Sequence, residues 1–152
     1  MSASRERALA AFLSVVGLGV SLYLSAVHLS QGQIPLACTT GGLVDCQRVT
    51  TGPASTIGLV PVAAVGVVWF LVALLLNVGI LRLTASRAAQ VNVVWSAGGV
   101  AGVFYLVYVE LFVVNALCLW CTVVHVAIIG IFLLAVRGIE VGSTTSGQSP
   151  WP

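Results

Sequence analysis

Charge is scarce in this chain. Six basic and four acidic residues occur among 152, and every basic one is arginine. A soluble domain carries about 25% charged residues, whereas this chain has 7% against 59% hydrophobic. So few charges cannot cover a water-facing surface, which excludes an ordinary soluble enzyme. The net charge of +2 also gives no basis for a nucleic-acid surface. No internal repeat is visible, so a solenoid is excluded. A second CxxC and an HxxxH pair are both lacking, which argues against a zinc site. No small-residue cleavage site follows the first apolar run, although Arg5 and Arg7 precede it. That run exceeds the usual h-region of roughly 7–15 residues, so it reads as a retained helix rather than a signal peptide. No KDEL-type retention signal is seen at the C-terminal end.

What the chain has instead is long apolar runs. A spanning helix needs roughly 20 mostly apolar residues. Four candidates fit, at about 8–29, 57–81, 88–114 and 116–136, with Asn115 marking the break between the last two. The fold class is an all-α integral membrane protein, a four-transmembrane-helix bundle occupying residues 1–141. A polar loop with Pro35 and Pro53 joins helices 1 and 2. Residues 142–152 are rich in Ser, Thr, Gly and Pro and read as a disordered tail. Arginines orient the bundle. Arg5, Arg7, Arg82, Arg87 and Arg137 fall on one side of a four-span topology, and Arg48 alone on the other. The positive-inside rule then puts both termini in the cytoplasm. The loop between helices 1 and 2 becomes extracytoplasmic, as does the 115–121 turn. All four cysteines share that face, in a compartment where disulfides persist. The Ala/Val/Gly-rich helices point to a prokaryotic inner membrane.

Cys118-Leu119-Trp120-Cys121 is a CxxC in an almost uncharged stretch. Its cysteines lie one helical turn apart, and His125 lies one turn further on, so the three can share a face. At a helix N-terminus the dipole favours a thiolate, which can attack a disulfide or a quinone. His125 can donate to a quinone carbonyl, and ionisable groups inside membrane spans are usually functional. The blander readings are a structural disulfide, inert buried thiols and a packing histidine. Cys38 and Cys46 enclose a pliable Gly-containing loop suited to an aqueous relay; a static disulfide and a metal site of the four cysteines with His28 or His125 are the alternatives. Glu110 reads as a packing carboxylate or a proton donor. Trp69, Trp95 and Trp120 read as interface anchors or core residues, with Trp120 also placed to wall a quinone pocket. Gly98 and Gly102 form GxxxG beside Gly99, which suits close helix packing. Asp45 and Arg48 flank Cys46 closely enough to tune its thiol in opposite directions.

Taken together, these residues resemble the vitamin K epoxide reductase family. The resemblance runs from about Ser21 to Val136. It rests on Ser21-Leu22-Tyr23, on Cys38, Cys46 and Arg48-Val49, on Gly58-Leu59 and Gly66, and on Cys118-x-x-Cys121. It implies a four-helix bundle around a quinone of the menaquinone, ubiquinone or vitamin K type. It also implies an extracytoplasmic thioredoxin-fold thiol oxidoreductase as partner. Electrons would pass from that partner to Cys38, through Cys46 to Cys118, and from Cys121 to the quinone. The family's hydroxyl residue six positions after the second loop cysteine is replaced by Gly52, so Thr51 or Ser55 takes the role. The Asn and Tyr that hold the naphthoquinone in vertebrate members correspond to Val62 and His125. This favours simple quinone reduction in support of disulfide formation over epoxide chemistry. The competing functions are an epoxide reductase of an endoplasmic reticulum and a non-catalytic, metal-binding four-span protein.

Overall fold

The computed structural model describes residues 3–31, 33, 34, 36, 38, 43–80 and 84–146. Helix α1 spans Ala3–Leu29. A short helix α2, Cys46–Thr51, follows, and then a single 3₁₀ turn, Pro53–Ser55. Two short strands, β1 (Thr56–Ile57) and β2 (Val60–Pro61), pair antiparallel. Helices α3 (Val62–Val78), α4 (Ala85–Tyr108) and α5 (Leu119–Ser146) complete the chain, with a π-helical turn, Val109–Val114, ending α4. Three stretches among the described residues are long and apolar enough to cross a membrane: Ser4–Leu29, Ser86–Val114 and Leu119–Gly138. Val62–Val78 is apolar but shorter. Long helices are what such sequences must form, because in lipid every backbone N–H and C=O has to be satisfied within its own segment.

Several boundaries differ from the sequence expectation. The second helix was expected from residue 57 and starts at Val62. Gly58, with φ of 65°, makes the tight turn between β1 and β2, and Pro61, which has no N–H to give a helix interior, stands just before the first turn. It ends at Val78 rather than 81, where Gly79 adopts the left-handed conformation that closes a helix. The last helix was expected from residue 116 but starts at Leu119, because Leu117 is engaged in backbone pairing with the segment before α2. At its far end it continues to Ser146, past the expected start of the tail at 142. Extending a formed helix needs only one hydrogen bond per residue. The rest of that tail, 147–152, lies outside the described residues, as does Arg82.

α1 packs along both α3 and α5, and α4 packs on α5; α3 and α4 touch more lightly. The centre is Phe70, Val103, Ala127, Ile128 and Ile131. Large apolar side chains such as Phe12, Val94, Phe104, Phe112 and Val126 point outward, as a lipid-facing surface requires. Two glycines set the helix spacing. A Cβ on Gly17 would overlap the Phe70 ring, and one on Gly99 would overlap Trp69. The expected GxxxG packing is corrected here: Gly98 and Gly102 face open space, and Gly99 is the close contact. Gly17→Ala should therefore destabilise the bundle by roughly 1–3 kcal/mol, the cost of overpacking. Thermal unfolding in detergent checks this against Gly19→Ala, where nothing lies within 4 Å and no change is expected.

Candidate functional site

The site is assembled where α4 turns into α5. The Glu110 carbonyl accepts the Ala116 N–H at 3.0 Å. Asn115 takes a left-handed φ of 53°, which asparagine tolerates better than most residues. The chain thus reverses, and Leu117 runs beside the segment that precedes α2. Leu117 N–H donates to Leu43 C=O at 2.7 Å, and Asp45 N–H donates to Leu117 C=O at 3.1 Å. This parallel bridge places Cys118, one residue after Leu117, beside the segment leading into Cys46.

Cys118 occupies the N-cap of α5. Its Sγ accepts the Cys121 N–H at 3.3 Å, and its carbonyl accepts both the Thr122 N–H at 2.9 Å and the Thr122 hydroxyl at 3.0 Å. A sulfur in the place of a serine or aspartate oxygen satisfies one of the free amides at the helix start. The fully buried Cys118 thiol is held below its ordinary pKa. The Cys121 thiol hydrogen-bonded to it is the main cause; burial works the other way, and the Cys121 amide helps. Cys118 and Cys121 are both free thiols, whereas Cys38 and Cys46 form a disulfide with Cα atoms 6.0 Å apart. Cys46 is itself fully buried at the start of α2. Asp45 caps α2, its Oδ1 accepting the Arg48 N–H at 2.9 Å. That carboxylate is thus engaged by the helix start.

A cavity of about 270 Å³ lies between the four long helices, under α2 and the 3₁₀ turn. Of the expected site residues, Cys121, His125, Ser55 and Val62 line it. Cys118, Cys46 and Cys38 do not; they form a second layer beyond Cys121. Two expectations are corrected. Thr51 is exposed, and its hydroxyl donates to Gln47 C=O at 2.8 Å, because it falls on the outer face of α2. Trp120 is turned off the cavity by about 100° per residue of helix and packs edge-on against Tyr23 at 5.5 Å.

Thr50 and His28 were not foreseen on the wall. Thr50 is buried and lines the cavity, and its hydroxyl lies within reach of the Cys118 sulfur. His28 Nδ1 lies 2.9 Å from Thr50 C=O and 3.3 Å from Ser55 Oγ. A carbonyl only accepts, so Nδ1 carries the hydrogen and ties α1 to α2. Ser55 Oγ in turn donates to Gly52 C=O at 2.6 Å. A signal for His28 did exist: Ser21, Leu24 and His28 recur at helical spacing and all line the cavity. For Thr50 there was none, because choosing it over Thr51 requires the phase of α2.

A sequence profile, that of the vitamin K epoxide reductase family, matches residues 8–136, which is most of the chain. The chain belongs to this family. Among curated proteins no significant sequence match is found. Vitamin K epoxide reductases are membrane oxidoreductases that act between thiols and quinones and generally work with thioredoxin-like partners. The cavity suits a quinone. Its walls are largely apolar, with a few polar groups placed at one end, as small-molecule sites usually are. The Thr50 hydroxyl stands on the cavity wall within reach of the Cys118 sulfur, between the cavity and the inner thiol. Among the described residues no three His, Cys, Asp or Glu side chains gather closely enough to hold a metal ion.

Proposed function

We propose that this vitamin K epoxide reductase homologue is a thiol–quinone oxidoreductase that supports disulfide formation outside the cytoplasm. In this reading α1, α3, α4 with its π-turn, and α5 make four spans. The shorter α3 would cover about 25 Å at 1.5 Å per residue, close to the bilayer's hydrocarbon thickness. Five of six arginines then lie on the cytoplasmic side of a prokaryotic inner membrane. The cysteine end faces outward, where a thioredoxin-fold dithiol can reach Cys38.

The observation that carries the reading is one oxidised and one reduced cysteine pair, joined by a backbone bridge, with Cys121 alone of the four on the cavity wall. A partner thiolate attacks Cys38, and Cys46 leaves. Cys46 then attacks Cys118 of the oxidised CxxC, and Cys121 is released as the thiol facing the cavity. The partner's second thiol displaces Cys38 and closes the partner's own disulfide. The freed Cys38 attacks Cys46, which restores the loop disulfide and releases Cys118 as a thiol. A quinone bound there supplies a two-electron, two-proton acceptor. Cys121 and Cys118 close to a disulfide as the electrons leave, and the two thiol hydrogens are balanced by the two of the hydroquinone. Thr50, Ser55 and His125 are the polar groups able to orient ring oxygens.

The test is turnover of the full chain in lipid nanodiscs with a reduced thioredoxin-fold protein and a short-chain quinone. One hydroquinone should form per partner disulfide. Quinone consumption no faster than without the protein would end this reading. In the same assay His125→Leu should slow quinone reduction by roughly ten- to a hundredfold, the worth of one hydrogen bond of about 1.5–3 kcal/mol to an oxygen gaining charge. Exchange between the two cysteine pairs should be little affected. An unchanged quinone rate would leave His125 as a packing residue.

A further inference from the structure

Glu110 has no part in the electron path, yet it lies at the centre of the site. It is 4% exposed and lines the cavity. A carboxyl inside a membrane helix is costly, and such groups are usually retained for a task. The π-turn sets its position. Wider winding over Val109–Val114, closed by the Ala116 N–H on the Glu110 carbonyl, folds the chain back over this one side chain. As a result the Glu110 carboxylate faces two groups of α5 within hydrogen-bonding reach, the Cys118 backbone amide and the Cys121 thiol. The first is a fixed donor at the start of a 28-residue helix. The second is the sulfur on the cavity wall, which has to lose its proton before it can act as a nucleophile.

We propose that Glu110 is the proton acceptor for the Cys121 thiol, and so a catalytic residue of this enzyme. The step is a proton transfer with no change of oxidation state. The Sγ–H bond of Cys121 breaks, its electron pair stays on sulfur, and an O–H bond forms on a Glu110 carboxylate oxygen. Because Glu110 also lines the cavity, it holds that proton beside the space where ring oxygens gain charge. Cys118 has a different task. As the N-cap of α5 it is turned towards the loop pair, and its thiolate is served by the Cys121 amide and thiol. The single Cys121 thiol hydrogen thus has two acceptors within reach, the Cys118 sulfur and the Glu110 carboxylate.

The proposal rests on the thiol–quinone reading, and the experiment separates the two. Glu110→Gln keeps a side-chain carbonyl able to accept the Cys118 N–H, so the turn is preserved, but it removes the proton acceptor. The full chain is used in a Cys118→Ser background, with the loop disulfide intact, so that Cys121 is the single free thiol. Its alkylation by neutral iodoacetamide is then timed without any quinone present. Glu110→Gln should slow that reaction at least tenfold. With Cys118 restored, single-turnover quinone reduction should fall by roughly 10²- to 10⁴-fold, the usual worth of general base catalysis. Alkylation at the unsubstituted rate in the glutamine protein would overturn the proposal. If that variant does not fold, Glu110→Asp takes its place. A shorter acid set back from the sulfur should slow alkylation severalfold, and an unchanged rate is equally fatal. Glu110-dependent alkylation without any quinone turnover would sink the thiol–quinone reading and leave Glu110 as the base of Cys121.

Discussion

Cys121→Ser should cut quinone reduction at least about a thousandfold, the scale on which removal of a reacting nucleophile is felt. The same protein should accumulate a disulfide between Cys46 and Cys118. Both outcomes follow from one geometric fact. Cys121 lines the cavity, and Cys118 sits behind it at the helix N-cap. With serine at 121, no sulfur reaches the cavity. The lowered Cys118 thiol still attacks Cys46 across the Val44–Leu117 bridge and expels Cys38, but nothing remains on its own side to resolve the product. Peptide mapping without reductant reads the trapped bond. Cys118→Ser is the control: it should lose activity as well, yet trap no link to Cys46. Accumulation of a Cys46–Cys121 bond in the Cys118→Ser protein, at the level seen for Cys46–Cys118, would reverse the assigned order.

The second large effect concerns the outer pair. Cys38→Ala should abolish turnover driven by a protein dithiol and spare turnover driven by a small membrane-permeant dithiol. Cys38 is partly accessible on the loop, whereas Cys46 and Cys118 are buried and Cys121 opens onto the cavity. A folded partner domain can meet only the sulfur it can touch; a small dithiol can enter and reduce the CxxC directly. The loss in the first assay should exceed about a hundredfold, since the exchange has no other accessible start. The second assay should change by no more than about twofold. Equal loss in both assays from a protein with an unchanged melting midpoint would make the Cys38–Cys46 bond a structural brace instead of a relay. That was one of the readings open from its spacing alone.

The bundle was legible because few folds suit such a chain. Runs of some 20 apolar residues can only be helices in lipid, and Asn115 announced the last turn by its tolerance of a left-handed backbone. Cys121 and His125 share the cavity wall, as a spacing of four on one helix implies, whereas Cys118, at the helix N-cap, does not line it. What escaped lay where phase is not set by a long helix. The β-hairpin at residues 56–61 hid inside an apolar run whose hydropathy is blind to Gly58 and Pro61. Thr50 and Thr51 are chemically equal neighbours, and six residues of α2 decide which one turns inward. Glu110 was visible as an oddity, but its bearing on Cys121 depends on a π-turn that no periodicity announces.

The bridge between Val44 and Leu117 also orders events as the protein is made. Cys38 and Cys46 are eight residues apart and emerge early; their closure needs only a short loop. The strand beside them has to wait for Leu117, which emerges after two further helices. Until α5 is inserted, the segment over the cavity has no backbone partner, and Cys46 has no Cys118 to meet. The newly made chain therefore presents its outer cysteine pair before its inner dithiol exists as a site.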